Sequence, residues 1–259
     1  MTAAVAVPRA GRRGAVSSGA RSPATLPGMP PARALDLVLP PACAACGLPG
    51  EPLCRACREG LRPLPPPLCG ACGHPAPLPV DRCPACRGGL AGARQAVLYA
   101  GPAPRLVGAL KDGRRRALAP VLADVMAASL EPPPPGWVLV PVPLGDRRLA
   151  RRGFNQSRLL AGALGRRWER PVLDALARPR EVAAPRGAPA GARARQVAGA
   201  FALRPGVPAP PAACLVDDVH TTGATLAACA RALRRGGTRE VRAVAFARAV
   251  DPRRPDAAP

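Results

Sequence analysis

The chain has 259 residues, with 38 Lys and Arg against 16 Asp and Glu, for a formal net charge of +22 at pH 7. That length holds one or two domains with a sizeable core, and no uncharged apolar run reaches the ~18 residues a membrane-spanning helix needs, which excludes membrane insertion. Lys111 is the only lysine, and Ala, Arg, Pro and Gly dominate, so part of the charge is coding bias and argues weakly for a nucleic-acid partner. The six aromatics (Tyr99, Trp137, Phe154, Trp168, Phe201 and Phe246) are too few for a broad base-stacking platform.

Residues 1–35 carry five arginines, no acid and no periodicity, and are expected to be a disordered basic extension. Met29 is an alternative start within it. Residues 36–90 form a cysteine module that contains a stiff proline segment at 62–68. From Arg94 the pattern predicts strands over 95–100, 137–144, 213–219 and 240–247, and helices over 104–110, 117–130, 155–168 and 223–235. The basic segment 111–116 and the Gly/Pro/Ala/Arg-rich segment 178–200 read as loops, and 251–259 as a disordered tail. Strands alternating with helices predict an α/β domain over 94–250 built on a parallel sheet.

Eight of the ten cysteines form four CxxC pairs: Cys43/Cys46, Cys54/Cys57, Cys69/Cys72 and Cys83/Cys86. Each pair sets two thiolates on one tight turn, and two such turns complete a tetrahedral all-sulfur site for structural zinc. Two zinc ions are expected. Sequential pairing gives the shorter loops, and interleaved pairing is the alternative. A redox pair or an iron–sulfur cluster fits four repeats less well. Gly47 and Gly73 follow two of the pairs, where the knuckle turn calls for positive φ. Four thiolates around one zinc leave −2 per site, so two filled sites lower the formal +22 to about +18. Clustered thiols without an apolar leader point to a reducing, cytoplasmic setting.

The most informative stretch is CLVDDVHTTGAT at 214–225. An apolar strand delivers Asp217 and Asp218 to its carboxyl end, where open α/β sheets bind ligands. Thr221, Thr222, Gly223, Ala224 and Thr225 then turn into a helix whose first N–H groups suit a phosphate. Two acids beside a phosphate cradle make sense if they hold sugar hydroxyls near a magnesium ion. After the strand at 137–144, GDRRLARRGFNQS at 145–157 offers Arg151 and Arg152 for bidentate contacts to a pyrophosphate. His220 and His74 read as structural or loop residues.

The acids followed by TTGAT resemble the PRPP-binding motif of type I phosphoribosyltransferases. Together with VPVPL, RRGFNQS and the CxxC module, they resemble the ComF family, over nearly all of 36–250. The resemblance implies a double zinc ribbon followed by a type I phosphoribosyltransferase domain, a Rossmann-like parallel sheet. It also implies that Asp217 and Asp218 hold the ribose 2′- and 3′-hydroxyls, that 221–225 wrap the 5′-phosphate, and that magnesium arrives with PRPP. The family's proposed work is the handling of internalised single-stranded DNA in natural competence, alongside other competence proteins. Between 178 and 201 the chain departs from the family, with Val182, Pro185, Ala188 and Gln196 where polar loop residues are usual, while Arg178, Arg180 and Arg193 remain.

Two functions follow. One is a phosphoribosyltransferase, a pentosyl glycosyltransferase in which Arg151 and Arg152 stabilise the leaving pyrophosphate. The other is a non-catalytic module that binds ribose phosphate or single-stranded nucleic acid, with the zinc ribbon as a docking platform. Nucleic-acid contacts would fall on Arg114, Arg115, Arg116, Arg147, Arg148, Arg151 and Arg152.

Overall fold

Short apolar runs bounded by Pro, Gly or charged residues become the strands of one parallel sheet. The computed structural model describes residues 41–84, 86, 90–113, 115–179 and 199–250. Outside them lie the expected extension over 1–35, the tail over 251–259, Arg114, and most of the 178–200 loop, including Arg180, Val182, Pro185, Ala188, Arg193 and Gln196. In chain order the elements are α1 (Arg55–Glu59), β1 (Gly92–Leu98), α2 (Ala103–Lys111), α3 (Leu118–Ser129), β2 (Val138–Pro141), α4 (Asp146–Arg152), α5 (Gln156–Trp168), β3 (Leu176–Ala177), β4 (Ala202–Leu203), β5 (Ala212–His220), α6 (Ala224–Arg235) and β6 (Glu240–Arg248).

The four long strands stand in the order β1-β6-β5-β2, all parallel, with Val216 opposite both Val244 and Pro141. Alternation along β5 sends Cys214 and Val216 to one face, where they bury with Leu106, Leu122, Met126 and Leu160 from α2, α3 and α5. Ala213 and Leu215 face the other way, onto Leu226, Ala230 and Leu233 of α6. Both faces are covered, which is why the strand reads as a continuous apolar run. No described helix is long and apolar enough to cross a membrane.

The short helix α1 and the antiparallel pair β3–β4 lie outside the expected elements, and two further departures lie near the end of β2. The strand expected over 137–144 stops at Pro141, with one further backbone bond to β5 from Val142 N to Val216 O at 3.0 Å. The arginine-rich turn contains a helix, α4. Gly145 enters it extended, Asp146 lies in its first turn, Arg151 and Arg152 lie in its last, and Gly153 ends it at φ 79°. Acid at the start and base at the end both complement the helix dipole.

The cysteines settle into two sequential clusters, Cys43/Cys46/Cys54/Cys57 and Cys69/Cys72/Cys83/Cys86, with Sγ atoms within 4.8 Å of one another. A tetrahedron of four sulfurs around zinc, with Zn–S near 2.3 Å, has S···S edges of about 3.8 Å. The observed Cys46···Cys54, Cys69···Cys86, Cys72···Cys83 and Cys83···Cys86 separations are 3.7, 3.5, 3.6 and 3.9 Å. The donors therefore fit two zinc sites of four cysteines each. The knuckles repeat the same turn. Cys43 N donates to Leu48 O and Gly47 N to Cys43 O, while Cys69 N donates to His74 O and Gly73 N to Cys69 O. Gly47 and Gly73 hold φ 82° and 67°.

The module is fastened to the sheet. Cys43, Ala45 and Leu53 share the core of α2 and α3, Ala93 N donates to Ala71 O, and Arg115 donates to Ala42 O. The proline segment is docked as well, since Leu98 N donates to Arg62 O and Leu64 is buried. Because structural zinc is coupled to folding, metal analysis of the fresh protein should give two zinc ions per chain. A strong chelator should open 43–86 to protease. A content below one zinc per chain would contradict this.

Candidate functional site

The carboxyl ends of β2 and β5 and the last residue of α2 border a cavity of about 360 Å³. Asp217, Asp218, Thr221 and Thr225 form one side and Val142 to Leu144 another. Arg148, Gln156 and Ser157 close it from α4 and α5, and Tyr99, Lys111 and Arg178 complete the wall.

Asp217 and Asp218 are adjacent on β5 and are 9% and 3% exposed. They are less accessible than acids at a strand end usually are. Their neighbours account for this. Ser157 Oγ donates to Asp217 Oδ1 at 2.9 Å, as does the Asp218 backbone N–H, and Lys111 Nζ lies 2.8 Å from Asp218 Oδ2. Burial, reinforced by the charge of Asp218, pushes the Asp217 carboxyl up to about 7, against the pull of Ser157, the Asp218 N–H and Lys111.

The GFNQS segment builds this support. Gly153 turns the chain, Phe154 buries, and the Asn155 side chain caps α5 by accepting from Ser157 N at 2.9 Å and Arg158 N at 3.4 Å. Asn155 Nδ2 donates to Val142 O at 3.0 Å, which locks the helix start against the end of β2. Ser157 is thereby aimed at Asp217.

Gly223 caps α6 at φ 73°, and the first backbone bond of that turn is Ala227 N to Gly223 O at 2.9 Å. The N–H groups before it have no partner within the helix, as at any helix start. Thr222 Oγ1 accepts from Ala224 N at 3.4 Å. Thr221 and Thr222 are exposed, while Ala224 and Thr225 are half-buried. His220 is buried, and burial, then Arg248 and His74, hold its pKa down to about 3, so the ring is neutral.

Arg151 and Arg152 lie outside the cavity wall. Arg152 donates to Gln156 Oε1 at 2.6 Å and pairs with Asp112 at 3.4 Å, so it reaches the site through Gln156. The cation of α4 on the wall is Arg148. The sequence reading missed Lys111, Tyr99, Arg148 and Ser157 as wall residues. Lys111 had a signal in being the only lysine, and Ser157 stood inside a segment already singled out. Several arginines of the basic loops serve the fold. Arg116 donates to Gly153 O and covers the Phe154 ring at 4.8 Å, and Arg178 covers Phe201 at 5.2 Å.

The raised pKa of Asp217 sets a pH dependence. Between pH ~4 and 7 the unfolded chain has lost a proton that the folded protein keeps. Stability therefore falls as pH rises through that window. Asp217→Asn keeps an acceptor for Ser157 and should melt a few degrees above wild type at pH 8, with no gain near pH 4. Equal melting temperatures at pH 8 would contradict a buried, costly charge.

Comparison with known proteins matches the double zinc ribbon domain over residues 34–87. The chain is 35% identical over 156 residues to the DNA utilization protein YhgH of Escherichia coli K12, covering 55% of this chain and 66% of that protein. It is 38% identical over 154 residues to YhgH of Salmonella typhi, with the same coverage, and 37% identical over 114 residues to competence protein F of Haemophilus influenzae, covering 43% and 50%. The match thus spans just under two thirds of the YhgH proteins and half of competence protein F. Two four-cysteine sites fastened to a parallel α/β sheet, the double zinc ribbon match and relatives of this kind together support the resemblance to the ComF family.

Proposed function

We propose that the cavity binds PRPP with magnesium and that the protein is a phosphoribosyltransferase acting in the handling of internalised DNA. The observation that carries this reading is the pair of buried acids at the end of β5, facing the same cavity as the start of a glycine-capped helix. Asp217 and Asp218 accept from the ribose 2′- and 3′-hydroxyls, and the amides and hydroxyls of 221–225 hold the 5′-phosphate. Arg148 on the wall, with Arg151 and Arg152 on the same helix, provides the positive field for the pyrophosphate. Magnesium on the pyrophosphate would neutralise the charge that develops on the leaving group. A nitrogen nucleophile forms a bond to C1 as the C1–O bond breaks. The electron pair leaves on pyrophosphate, and the proton of the nucleophile passes to solvent. The DNA setting comes from the names of the relatives.

Asp217→Asn with Asp218→Asn removes two charge-assisted acceptors worth roughly 1.5–3 kcal/mol each, so PRPP affinity should fall at least about tenfold in a calorimetric titration. Unchanged PRPP binding would sink the reading. Ribose 5-phosphate should compete with PRPP, since both carry the hydroxyls and the 5′-phosphate. Arg148→Ala should weaken PRPP far more than ribose 5-phosphate, and Arg151→Ala should do so to a smaller degree. Equal losses on both ligands would remove these arginines from the pyrophosphate side.

A second reading is a module that binds single-stranded DNA through the arginines of α4 and the 115–116 turn, and the word DNA in the YhgH name fits a DNA partner. That binding would rest on phosphate contacts and should weaken steeply between low and physiological salt. Affinity that ignores salt would exclude it.

A further inference from the structure

We propose that Gln95 and His220 are positioning residues that hold the phosphate loop in its ligand-binding shape and tie it to the second zinc knuckle. The inference rests on reading 221–225 as the 5′-phosphate loop. Three segments far apart in the chain meet at one amide. Gln95 Nε2 lies 3.3 Å from Cys72 O and 2.8 Å from His220 Nδ1, and Gln95 and His220 are 6% and 4% exposed. A backbone carbonyl only accepts, so the amide nitrogen must face Cys72. That nitrogen then donates to His220 Nδ1 as well, which leaves the ring proton on Nε2.

Each end of this relay bears on a left-handed glycine. At Gly223, with φ 73°, an added Cβ would stand 2.7 Å from His220 Nε2. At Gly73, with φ 67°, it would stand 2.9 Å from Gln95 Oε1 and 2.7 Å from Ala93 O. The imidazole edge is thus the floor under the glycine that starts α6, and Gln95 is the floor under the glycine that closes the knuckle. A parallel tie runs beside it. Arg248 Nη2 lies 3.2 Å from His74 Nδ1, both residues are buried, and Ala249 N donates to His220 O at 3.0 Å. With the knuckle filled by zinc, Cys72 O is a fixed point, and the relay passes that fixity to the loop.

The test uses the full-length zinc protein and Gln95→Met, which keeps the length and removes the amide. The Ala227 amide, which donates to Gly223 O, reports on the loop by hydrogen exchange without any ligand. In Gln95→Met it should exchange at least about tenfold faster while zinc stays at two per chain, and ribose 5-phosphate and PRPP should both bind about tenfold more weakly, with inorganic pyrophosphate unchanged. Cys86→Ala, which opens the second site, should loosen Ala227 in the same way, and Cys46→Ala, which opens the first, should not. If Gln95→Met loses zinc or fold, His220→Asn decides, because its amide oxygen still accepts from Gln95 while the ring edge leaves Gly223. Zinc and melting temperature should then hold while ribose 5-phosphate affinity falls. Unchanged Ala227 exchange in Gln95→Met, or a loss that includes pyrophosphate equally, overturns the proposal. If the wild-type protein binds no ribose 5-phosphate, the ligand reading fails by itself and the exchange data alone decide the relay.

Discussion

Two adjacent carboxylates buried at the end of a central strand repel each other, and burial raises the cost of that repulsion. Much of the surrounding structure answers this. Lys111, at the last position of α2, sets its ammonium against Asp218. Ser157, at the second position of α5, gives its hydroxyl to Asp217. Neither group would arrive without its own scaffold. The first depends on α2 packing into the core, the second on the Asn155 cap and the bond from Asn155 to Val142.

The zinc module belongs to the same structure. Its first knuckle contributes Cys43, Ala45 and Leu53 to the hydrophobic core, and its second bonds to β1 through Ala71 and Cys72. A proline-rich segment that could have been a free spacer lies against the end of β1. The zinc sites therefore do more than brace themselves. They fix the surface on which one edge of the sheet is built, and an occupied second site places two negative charges near the buried Arg248.

The large positive charge is spent in part on architecture. Arg116 holds the Gly153 turn, Arg94 donates to Gly70 O, Arg170 donates to Pro133 O, and Arg242 covers the Trp137 ring at 5.0 Å. Each uses the planar, multi-donor guanidinium to satisfy carbonyls or cover an aromatic face. In a chain with one lysine, net charge is a poor measure of how much cation faces a partner.

The sequence by itself determined the features that rest on local chemistry. The CxxC spacing brought pairs of thiolates together, the apolar runs became strands, Gly47 and Gly73 took positive φ, and the acids and the TTGAT turn came out as strand end and helix start. These depend on turn geometry and on periods of a few residues, which a linear reading can see. Only the tertiary structure decided the sequential pairing of the cysteines, the burial of Asp217 and Asp218, and the placing of Arg148, alone among the arginines of α4, on the cavity wall. It also joined Gln95 to His220 across 125 positions of chain and Lys111 to Asp218. The register of β1, β6 and β5 and the seating of α2 and α5 on the sheet set those contacts. Each is a distance between segments, and no single segment carries it in its own residues.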